Sequence, residues 1–265
     1  MGASRCVVVT GATRGIGRSL VEAFLARGCS LAFCGRDAAG VDALVALAPD
    51  RLAGLVADVA RYDDMRALWE LASSRFGAVD VWINNAGTSN PQTPFVTLAP
   101  PVIEAVVSAN MLGTMNGSRV ALEGMMRQGH GALYLMEGYG SDGERAPGMA
   151  LYGSTKIAVR YLWRSLADEA KGTGVIVGAL SPGVVPTDLL RSVYEQGDPR
   201  RWRRQRWLFK FIADPAEVVC PWLADRVLTN RRSGRRIAWM TVAKAALRFF
   251  LPRYHRRDLF SPRSR

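Results

Sequence analysis

Short unbroken hydrophobic runs alternate along this chain with segments in which apolar residues recur every three or four positions. The runs predict six strands, at 6–10, 30–34, 52–57, 79–84, 132–136 and 175–180. Helices are predicted at 14–28, near 38–48 and near 63–76, and another is expected to begin at Pro100-Pro101. Continuous hydrophobicity indicates strands buried on both faces. Strand–helix alternation at this spacing predicts an α/β protein with a doubly wound parallel sheet.

No internal repeat or linker divides the chain, so we expect one domain. Residues 1–190, which hold the six strands, are predicted to form the core of this domain, and residues 191–265 a basic helical C-terminal extension. A weaker apolar segment at 235–240 is a candidate last strand that closes the sheet. The extension is therefore expected to complete the same domain.

Charge is distributed unevenly between these two parts. The whole chain has 35 Lys and Arg against 23 Asp and Glu, a formal net charge of +12. Counted from the sequence, residues 1–189 are almost neutral, and residues 190–265 hold the excess of cations. Such asymmetry indicates an anionic partner for the basic part. Arginines and aromatic residues interleave at 200–211, and 241–257 can form a basic amphipathic helix, which favours peripheral contact with an anionic membrane. No nucleic-acid reader motif accompanies them, so nucleic acid is not expected as a partner.

The chain shows no apolar run long enough for a membrane span and no secretory signal. We therefore expect a cytoplasmic protein, peripheral to a membrane at most. The four cysteines are scattered and the two histidines isolated, which predicts reduced core thiols and no metal site.

Three local motifs indicate a dinucleotide cofactor and acid–base chemistry. The first is TGATRGIG at 10–17, in which glycines fall at the first strand-to-helix turn and permit a pyrophosphate to approach the helix N-terminus. The second is the end of the second strand, where Gly35 and Arg36 replace the carboxylate that binds an adenosine ribose in NAD-dependent proteins. Together with Arg14, Arg36 favours a 2′-phosphate, and hence NADP(H). Asp37 is expected to cap the next helix instead.

The third motif is Tyr152-Gly-Ser-Thr-Lys156, at the start of a predicted helix. A tyrosine and a lysine four residues apart share one helix face. The lysine ammonium favours the phenolate and lowers the tyrosine pKa, which prepares a general acid or base.

Taken together, these motifs resemble the short-chain dehydrogenase/reductase family. The matching pieces are TGATRGIG (10–17), Asp58-Val59, NNAG (84–87), Asn110, YGSTK (152–156) and SPGVVPT (181–187). The resemblance implies a Rossmann fold, oxidoreductase activity and a homo-oligomer, either a dimer or a tetramer. It also implies that residues 1–190 are the dinucleotide-binding and catalytic core and that residues 191–265 include a substrate lid. It implies Tyr152, Lys156, Ser141 and Asn110 as catalytic residues. It implies a cofactor site made of Gly11, Thr13, Arg14, Gly15, Ile16, Gly17, Arg36, Asp58, Val59, Asn85, Ala86, Gly87, Tyr152, Lys156, Pro182, Gly183, Val185 and Thr187.

One position departs from the family pattern. The serine that polarises the substrate carbonyl usually lies thirteen residues before the tyrosine, and Tyr139 stands there. Either Ser141 takes the role, or Tyr139 donates the hydrogen bond, or the site lacks this donor. We favour Ser141, because the stretch 136–156 resembles chlorophyll(ide) b reductases, in which the serine lies at the later position.

That resemblance continues through 212–227 and 231–256 and implies a lipophilic substrate, with the formyl group of chlorophyllide b or a related tetrapyrrole as the first candidate. The alternative is a general ketoreductase of another bulky substrate such as a lipid, steroid or polyketide. A third hypothesis is a non-catalytic scaffold that senses the cofactor. Trp202 and Trp207 are expected to belong to the lid over the substrate.

Overall fold

The computed structural model describes residues 4–190 and 199–260, and side chains from position 202 onward in the second range. Its strands are β1 (Cys6–Thr10), β2 (Ser30–Gly35), β3 (Leu52–Val56), β4 (Val79–Asn84), β5 (Gly131–Met136), β6 (Val175–Ser181) and β7 (Arg235–Ala238). All are parallel and form one sheet in the order β3-β2-β1-β4-β5-β6-β7. The predicted doubly wound α/β fold is confirmed, including the weak last strand.

Helices connect these strands. They are α1 (Gly15–Leu25), α2 (Ala38–Val45), α3 (Tyr62–Phe76), α4 (Pro100–Val107), α5 (Gly113–Gln128), α6 (Ala150–Glu169), α7 (Pro199–Ile212), α8 (Ala216–Thr229), α9 (Val242–Phe249) and α10 (Pro252–His255). A π-helical turn, Ser108–Leu112, joins α4 to α5 without a break in the helix. Pro100 begins α4 as predicted, because a proline in the first turn removes no helical hydrogen bond.

The sheet is buried on both faces, and β1 shows why its sequence is continuously hydrophobic. Val7 and Val9 belong to the core on one side, together with apolar residues of α1 and α8. Cys6 and Val8 belong to the core on the other side, together with residues of α3, α5 and α6. Successive side chains of a strand point to opposite faces, so a strand covered by helices on both sides has no polar positions.

The last quarter of the chain divides between this core and a separate layer. Helix α8 packs against α1, and β7 completes the sheet, so both belong to the single domain. Helices α7, α9 and α10 contact one another beyond the sheet. Among the described residues, no helix is both long and apolar enough to cross a membrane. Nor do these residues include a cluster of three histidine, cysteine or carboxylate side chains that could bind a metal ion.

Candidate active site

The glycines of the first strand-to-helix turn are required by close packing at the carboxyl end of the sheet. Gly11 has φ +66°, and a Cβ there would lie 2.7 Å from the Cα of Ala86. A Cβ at Gly17 would overlap the carbonyl oxygen of Gly11. Helix α1 starts after Arg14 without a side-chain cap, so its first N–H groups remain available to an anion. This turn lies between β1 and β4, where a doubly wound sheet forms its ligand crevice.

At the end of β2 the Thr13 side chain fills the space beside Gly35. A Cβ at Gly35 would overlap the Cγ2 atom of Thr13, so a carboxylate-bearing residue at this position would require the Thr13 side chain to move. Arg14 and Arg36 are exposed beside it. Asp37 accepts a hydrogen bond from the N–H of Gly40 (3.2 Å) and caps α2, as predicted.

A cavity of about 280 Å³ continues from this point along the sheet edge. It is lined by Arg36, Val56, Ala57, Asp58, Arg61 and Asp64. Arg61 adds a third guanidinium near Arg36, and no sequence motif points to Arg61 as a binding residue. The only feature of the sequence that could have indicated this role is its position three residues after Asp58. The Asp58 carboxylate accepts a hydrogen bond from the N–H of Ala60 (2.9 Å), which fixes its orientation at the cavity wall.

The NNAG segment holds β4 against β1. The Nδ2 of Asn85 donates to the carbonyls of Thr10 (2.9 Å) and Gly11 (3.0 Å), and the N–H of Ala86 donates to the Thr10 hydroxyl (3.0 Å). The side chain of Asn84 is buried and bonds to Trp82 and Ser118 instead. This segment therefore stabilises the crevice in addition to the cofactor contacts implied for Asn85, Ala86 and Gly87.

Asn110 occupies the middle of the π-helical turn and is fully buried. Its Oδ1 accepts from the N–H of Thr88 (2.8 Å), while its Nδ2 donates to the Thr88 carbonyl (2.9 Å) and to the Thr155 hydroxyl (3.0 Å). Thr155 lies on α6 between Tyr152 and Lys156 in the sequence. Asn110 thus fixes the helix that bears the predicted acid–base pair.

Tyr152 and Lys156 lie on α6 beside the end of β5. The Lys156 ammonium is buried, donates to the Met136 carbonyl (3.2 Å) and lies 5.7 Å from the centre of the Tyr152 ring. Burial lowers the pKa of Lys156 to about 8, although the nearby Glu137 carboxylate opposes that shift. The Tyr152 hydroxyl faces Gly138, where a Cβ would lie 2.5 Å from its oxygen. The structure therefore places Tyr152 and Lys156, the two residues paired in the sequence motif, close together at the crevice.

Ser141, predicted to polarise the carbonyl, lies in the loop after β5 and is 1% exposed. Its hydroxyl accepts from the N–H of Gly138 (3.1 Å) and donates to the carbonyl of Lys156 (3.3 Å). Its proton is thus engaged with backbone in this structure. Tyr139 is 39% exposed in the same loop. Both hydroxyls remain candidates, and Ser141 has an additional structural role.

An ion-pair network around the buried Glu137 supports this loop, and no motif identifies the network in advance. The carboxylate of Glu137 accepts hydrogen bonds from Trp163 on α6 (3.0 Å) and from Arg236 on β7. Arg236 and Arg160 both pair with Asp142, at the other end of the loop. Four charged groups from three elements therefore hold residues 137–142 in place. The only signal in the sequence is a single acidic residue directly after an apolar strand.

The SPGVVPT segment after β6 approaches the glycine loop from the opposite side. Val185 is buried, and the N–H of Thr187 donates to its carbonyl (2.8 Å). A Cβ at Gly15 would lie 3.3 Å from the Cγ2 atom of Thr187. The residues implied for the nicotinamide end thus face those implied for the pyrophosphate. Pro182 and Gly183 form the turn before them, with Gly183 at φ +72°.

The two tryptophans predicted for the lid lie in different places. Trp202 contacts Phe260 (5.0 Å between ring centres) and Phe209, in an apolar cluster that Tyr152 also joins. Trp207 contacts Phe211 and Phe249 instead. The two side chains point to different environments because five residues along a helix rotate a side chain by about 140°. The lid assignment stays a prediction for both tryptophans.

The chain is similar to known proteins along most of its length. A family model described as short chain dehydrogenase matches residues 5–198. The chain belongs to the short-chain dehydrogenase family. It is 33% identical over 258 residues to chlorophyll(ide) b reductase NOL of Oryza sativa subsp. japonica, covering 92% of this chain and 74% of that protein. It is 30% identical over 264 residues to probable chlorophyll(ide) b reductase NYC1 of Arabidopsis thaliana, covering 92% of this chain and 52% of that protein. The chain therefore spans about half the length of the NYC1 relative.

Solved structures in this fold differ in the cofactor that they contain. A 3-ketoacyl-(acyl-carrier-protein) reductase from Brucella melitensis, complexed with NADH, matches with a TM-score of 0.79 and 22% identity over 89% of this chain and 97% of that one. A serine dehydrogenase complexed with NADP+ matches equally well, with a TM-score of 0.79 and 23% identity over 90% and 95%. At these identities the two matches show the fold alone.

The expected cytoplasmic localisation is contradicted by the comparison. Both chlorophyll(ide) b reductases are chloroplastic proteins by name. The expectation rested on the absence of a long apolar run and of a secretory signal, and neither absence identifies the compartment in which a protein works.

Proposed function

We propose that this oxidoreductase uses NADPH to reduce a carbonyl group on a large apolar molecule, with the formyl group of chlorophyllide b as the first candidate substrate. The observation that carries the proposal is the 33% identity to a chlorophyll(ide) b reductase across 92% of the chain, a share that includes the loop 137–142. The apolar cluster around Trp202 and Phe260, in contact with Tyr152, supports a bulky and lipophilic substrate.

The residues of the crevice fit a dinucleotide. The uncapped start of α1 and the glycines beside it suit a pyrophosphate, and Arg14, Arg36 and Arg61 supply the positive charge that a 2′-phosphate needs. Thr187 and Val185 would hold the carboxamide end, and Lys156 the ribose. When bound, a reduced nicotinamide supplies the hydride for the carbonyl carbon.

The chain itself supplies the proton and the orientation of the reacting groups. Tyr152 donates its hydroxyl proton to the carbonyl oxygen, and the Lys156 ammonium stabilises the phenolate that remains. Ser141 turns its hydroxyl from the Lys156 carbonyl towards the same oxygen. Asn110 keeps Thr155, and with it this part of α6, in register with the crevice.

Incubation of the purified protein with chlorophyllide b and NADPH tests this function. We expect a 7-hydroxymethyl product, separable by chromatography, and none from the Tyr152→Phe variant, because only the proton donor is lost. Removal of such a group typically lowers the rate by about 10²–10⁴-fold. If a simple hydrophobic ketone is reduced and chlorophyllide b is not, the protein is a general ketoreductase. Cofactor binding without turnover of any carbonyl would instead make it a cofactor-sensing scaffold.

The cofactor preference is a separate prediction. NADPH should bind more tightly than NADH. The Arg36→Ala substitution should raise the dissociation constant of NADPH by about one to two decades, the loss of affinity expected for one charge-assisted contact. Isothermal calorimetry measures both dissociation constants. The affinity for NADH in the same variant is the internal control, since NADH lacks the 2′-phosphate. Equal affinities for the two cofactors in the unaltered protein would refute the prediction.

A further inference from the structure

Five large apolar side chains lie exposed together on the layer formed by α7 and α9. They are Trp207 (50% exposed), Leu208 (47%), Leu247 (62%), Phe249 (47%) and Phe250 (79%). We call these five residues the aromatic patch. Single exposed apolar residues are ordinary on protein surfaces, whereas a contiguous group marks an interaction site.

The three rings of the aromatic patch are contiguous across the two helices. The ring centres of Trp207 and Phe249 are 6.3 Å apart, and those of Phe249 and Phe250 are 5.8 Å apart. Beneath them, the buried ring of Phe211 contacts both Trp207 (5.2 Å) and Phe249 (5.3 Å). The patch therefore rests on a packed base, and α7 and α9 present it as one surface.

Cations surround this patch, and the nearby carboxylates are already paired. Arg203 and Arg204 are exposed one helical turn before Trp207 and Leu208, and Arg253 and Arg256 are exposed on and just after α10. Among the described residues from 199 to 260 that lie outside α8, the acidic side chains are Asp214 and Asp258. Asp214 is bound by Arg248 and Arg257, and Asp258 by Arg206. The field over the patch is thus positive.

Helix α7 directs its two sides to different environments. Trp202 and Phe209, seven residues apart, share the side that packs near Tyr152. Trp207 and Leu208 point away from that side and into solvent. Helix α7 therefore carries both the side chains that pack near Tyr152 and two side chains of the aromatic patch.

We infer that the aromatic patch and its arginines bind the surface of an anionic phospholipid bilayer. Aromatic and leucine side chains on one surface, rimmed by arginines, are the combination that inserts at the boundary between headgroups and acyl chains. The rings bury apolar area there, and each guanidinium near the surface gains attraction to anionic headgroups. A nucleic acid would match the positive charge but would leave Leu247 and Leu208 without apolar contact.

Co-sedimentation with vesicles tests this inference on the intact protein. We expect binding to vesicles of phosphatidylcholine mixed with phosphatidylglycerol, weaker binding to phosphatidylcholine alone, and a decrease as salt is added. Equal binding to both vesicles, or no binding to either, would overturn the inference. Binding to duplex DNA without binding to anionic vesicles would also overturn it, because the basic surface would then serve a nucleic acid.

Two pairs of double variants locate the binding surface. Leu247→Ser with Phe250→Ser should abolish most vesicle binding, whereas Phe95→Ser with Val96→Ser removes exposed apolar residues elsewhere (53% and 89% exposed) and should not. Arg203→Gln with Arg204→Gln should weaken binding about fivefold per charge. Arg66→Gln with Arg127→Gln removes the same charge from α3 and α5 and serves as its control.

The controls also define failure. If the control pairs weaken vesicle binding as much as the patch pairs, net charge and general hydrophobicity explain the binding and the patch does not. Sedimentation velocity without lipid gives a second readout. A Leu247→Ser, Phe250→Ser variant that changes the oligomeric state but retains vesicle binding would make the patch an interface between copies of this chain.

Discussion

Gly138 limits where the Tyr152 hydroxyl can lie. It faces the Tyr152 hydroxyl at a distance that leaves no space for a Cβ, and it is not among the glycines with positive φ. Its small size is therefore required by the neighbouring side chain and not by backbone conformation. A substitution here probes the position of one hydroxyl group.

We predict that Gly138→Ala lowers kcat by about 10²-fold with little change in thermal stability, because misplacement of a reacting group by about 1 Å has that cost. Gly153→Ala is the matched control. It adds the same methyl group one residue after Tyr152, where the nearest atom is 3.9 Å away. Steady-state kinetics and thermal melting of both variants check the prediction, and equal kcat values would contradict it.

Ser141 illustrates a residue whose hydroxyl has two candidate uses. We predict that Ser141→Ala lowers kcat by about 10²–10³-fold, as expected for loss of an oxyanion donor, and costs more than Tyr139→Phe. Single-turnover rates give the ranking. Thermal melting is measured in parallel, since Ser141 also bonds to Gly138 and Lys156. A folded Ser141→Ala protein with a lower melting temperature and unchanged kcat would restrict Ser141 to holding the loop.

At the scale of elements, the loop after β5 depends on side chains from α6 and β7. The Glu137 carboxylate accepts hydrogen bonds from Trp163 on α6 and from Arg236 on β7. Its negative charge also affects the pKa of Lys156. The carboxylate raises the pKa of Lys156 against the stronger effect of burial. Glu137 is therefore a positioning residue with an electrostatic effect on the acid–base pair.

We predict that Glu137→Gln moves the alkaline limb of the activity profile to lower pH. The reason is that Lys156, with a pKa of about 8, loses its proton earlier when the nearby negative charge is removed. The pH dependence of kcat/KM measures this shift, and Glu137→Asp, which retains the charge, is the control. Lower activity with an unmoved limb would indicate a purely structural role.

At the scale of the whole molecule, Asp214 attaches the basic layer to the core. It is 4% exposed and accepts hydrogen bonds or ion pairs from Trp239 (2.7 Å), Arg248 (2.7 Å) and Arg257 (2.9 Å). Burial by itself would raise the pKa of Asp214, but these donors outweigh burial and hold the pKa below its usual value. The stabilisation is therefore present above the unfolded-state pKa and is lost as pH falls through the lower folded-state value.

We predict that Asp214→Asn destabilises the protein by about 3–5 kcal/mol, because it leaves buried arginine charges without a partner. Asp225→Asn breaks the exposed ion pair with Arg27 and should cost no more than about 1 kcal/mol. Denaturant unfolding measures both, and limited proteolysis shows whether α9 and α10 become accessible first. In the unaltered protein the same accessibility should appear in acid, below about pH 4. Similar losses in the two variants would refute this role of Asp214.

The sequence predicted those features whose physical cause is local. Unbroken hydrophobic runs predicted β1 to β6, since a strand covered on both faces is mostly apolar, and β1 contributes to both core clusters. The last strand, β7, begins with two arginines and showed only a weak pattern. Asp37 was recognisable as a helix cap because its partner, Gly40, is three residues away. Gly11 was recognisable because the turn between β1 and α1 needs a positive φ there. In each case the residue and its physical cause lie within one turn or one strand.

Which distant residues lie together at the crevice depends on how the elements pack, and the sequence pattern does not show this. Glu137 and Arg236 are 99 positions apart, and their pairing depends on β7 lying beside β6 at the sheet edge. Asn110 lies in a π-helical turn and donates a hydrogen bond to Thr155. No sequence motif predicted this turn. Trp202 and Trp207 have the same chemistry, but α7 turns one towards Tyr152 and the other towards solvent. Packing between elements fixes these outcomes, and a pattern read along the chain contains no information about which surfaces will meet.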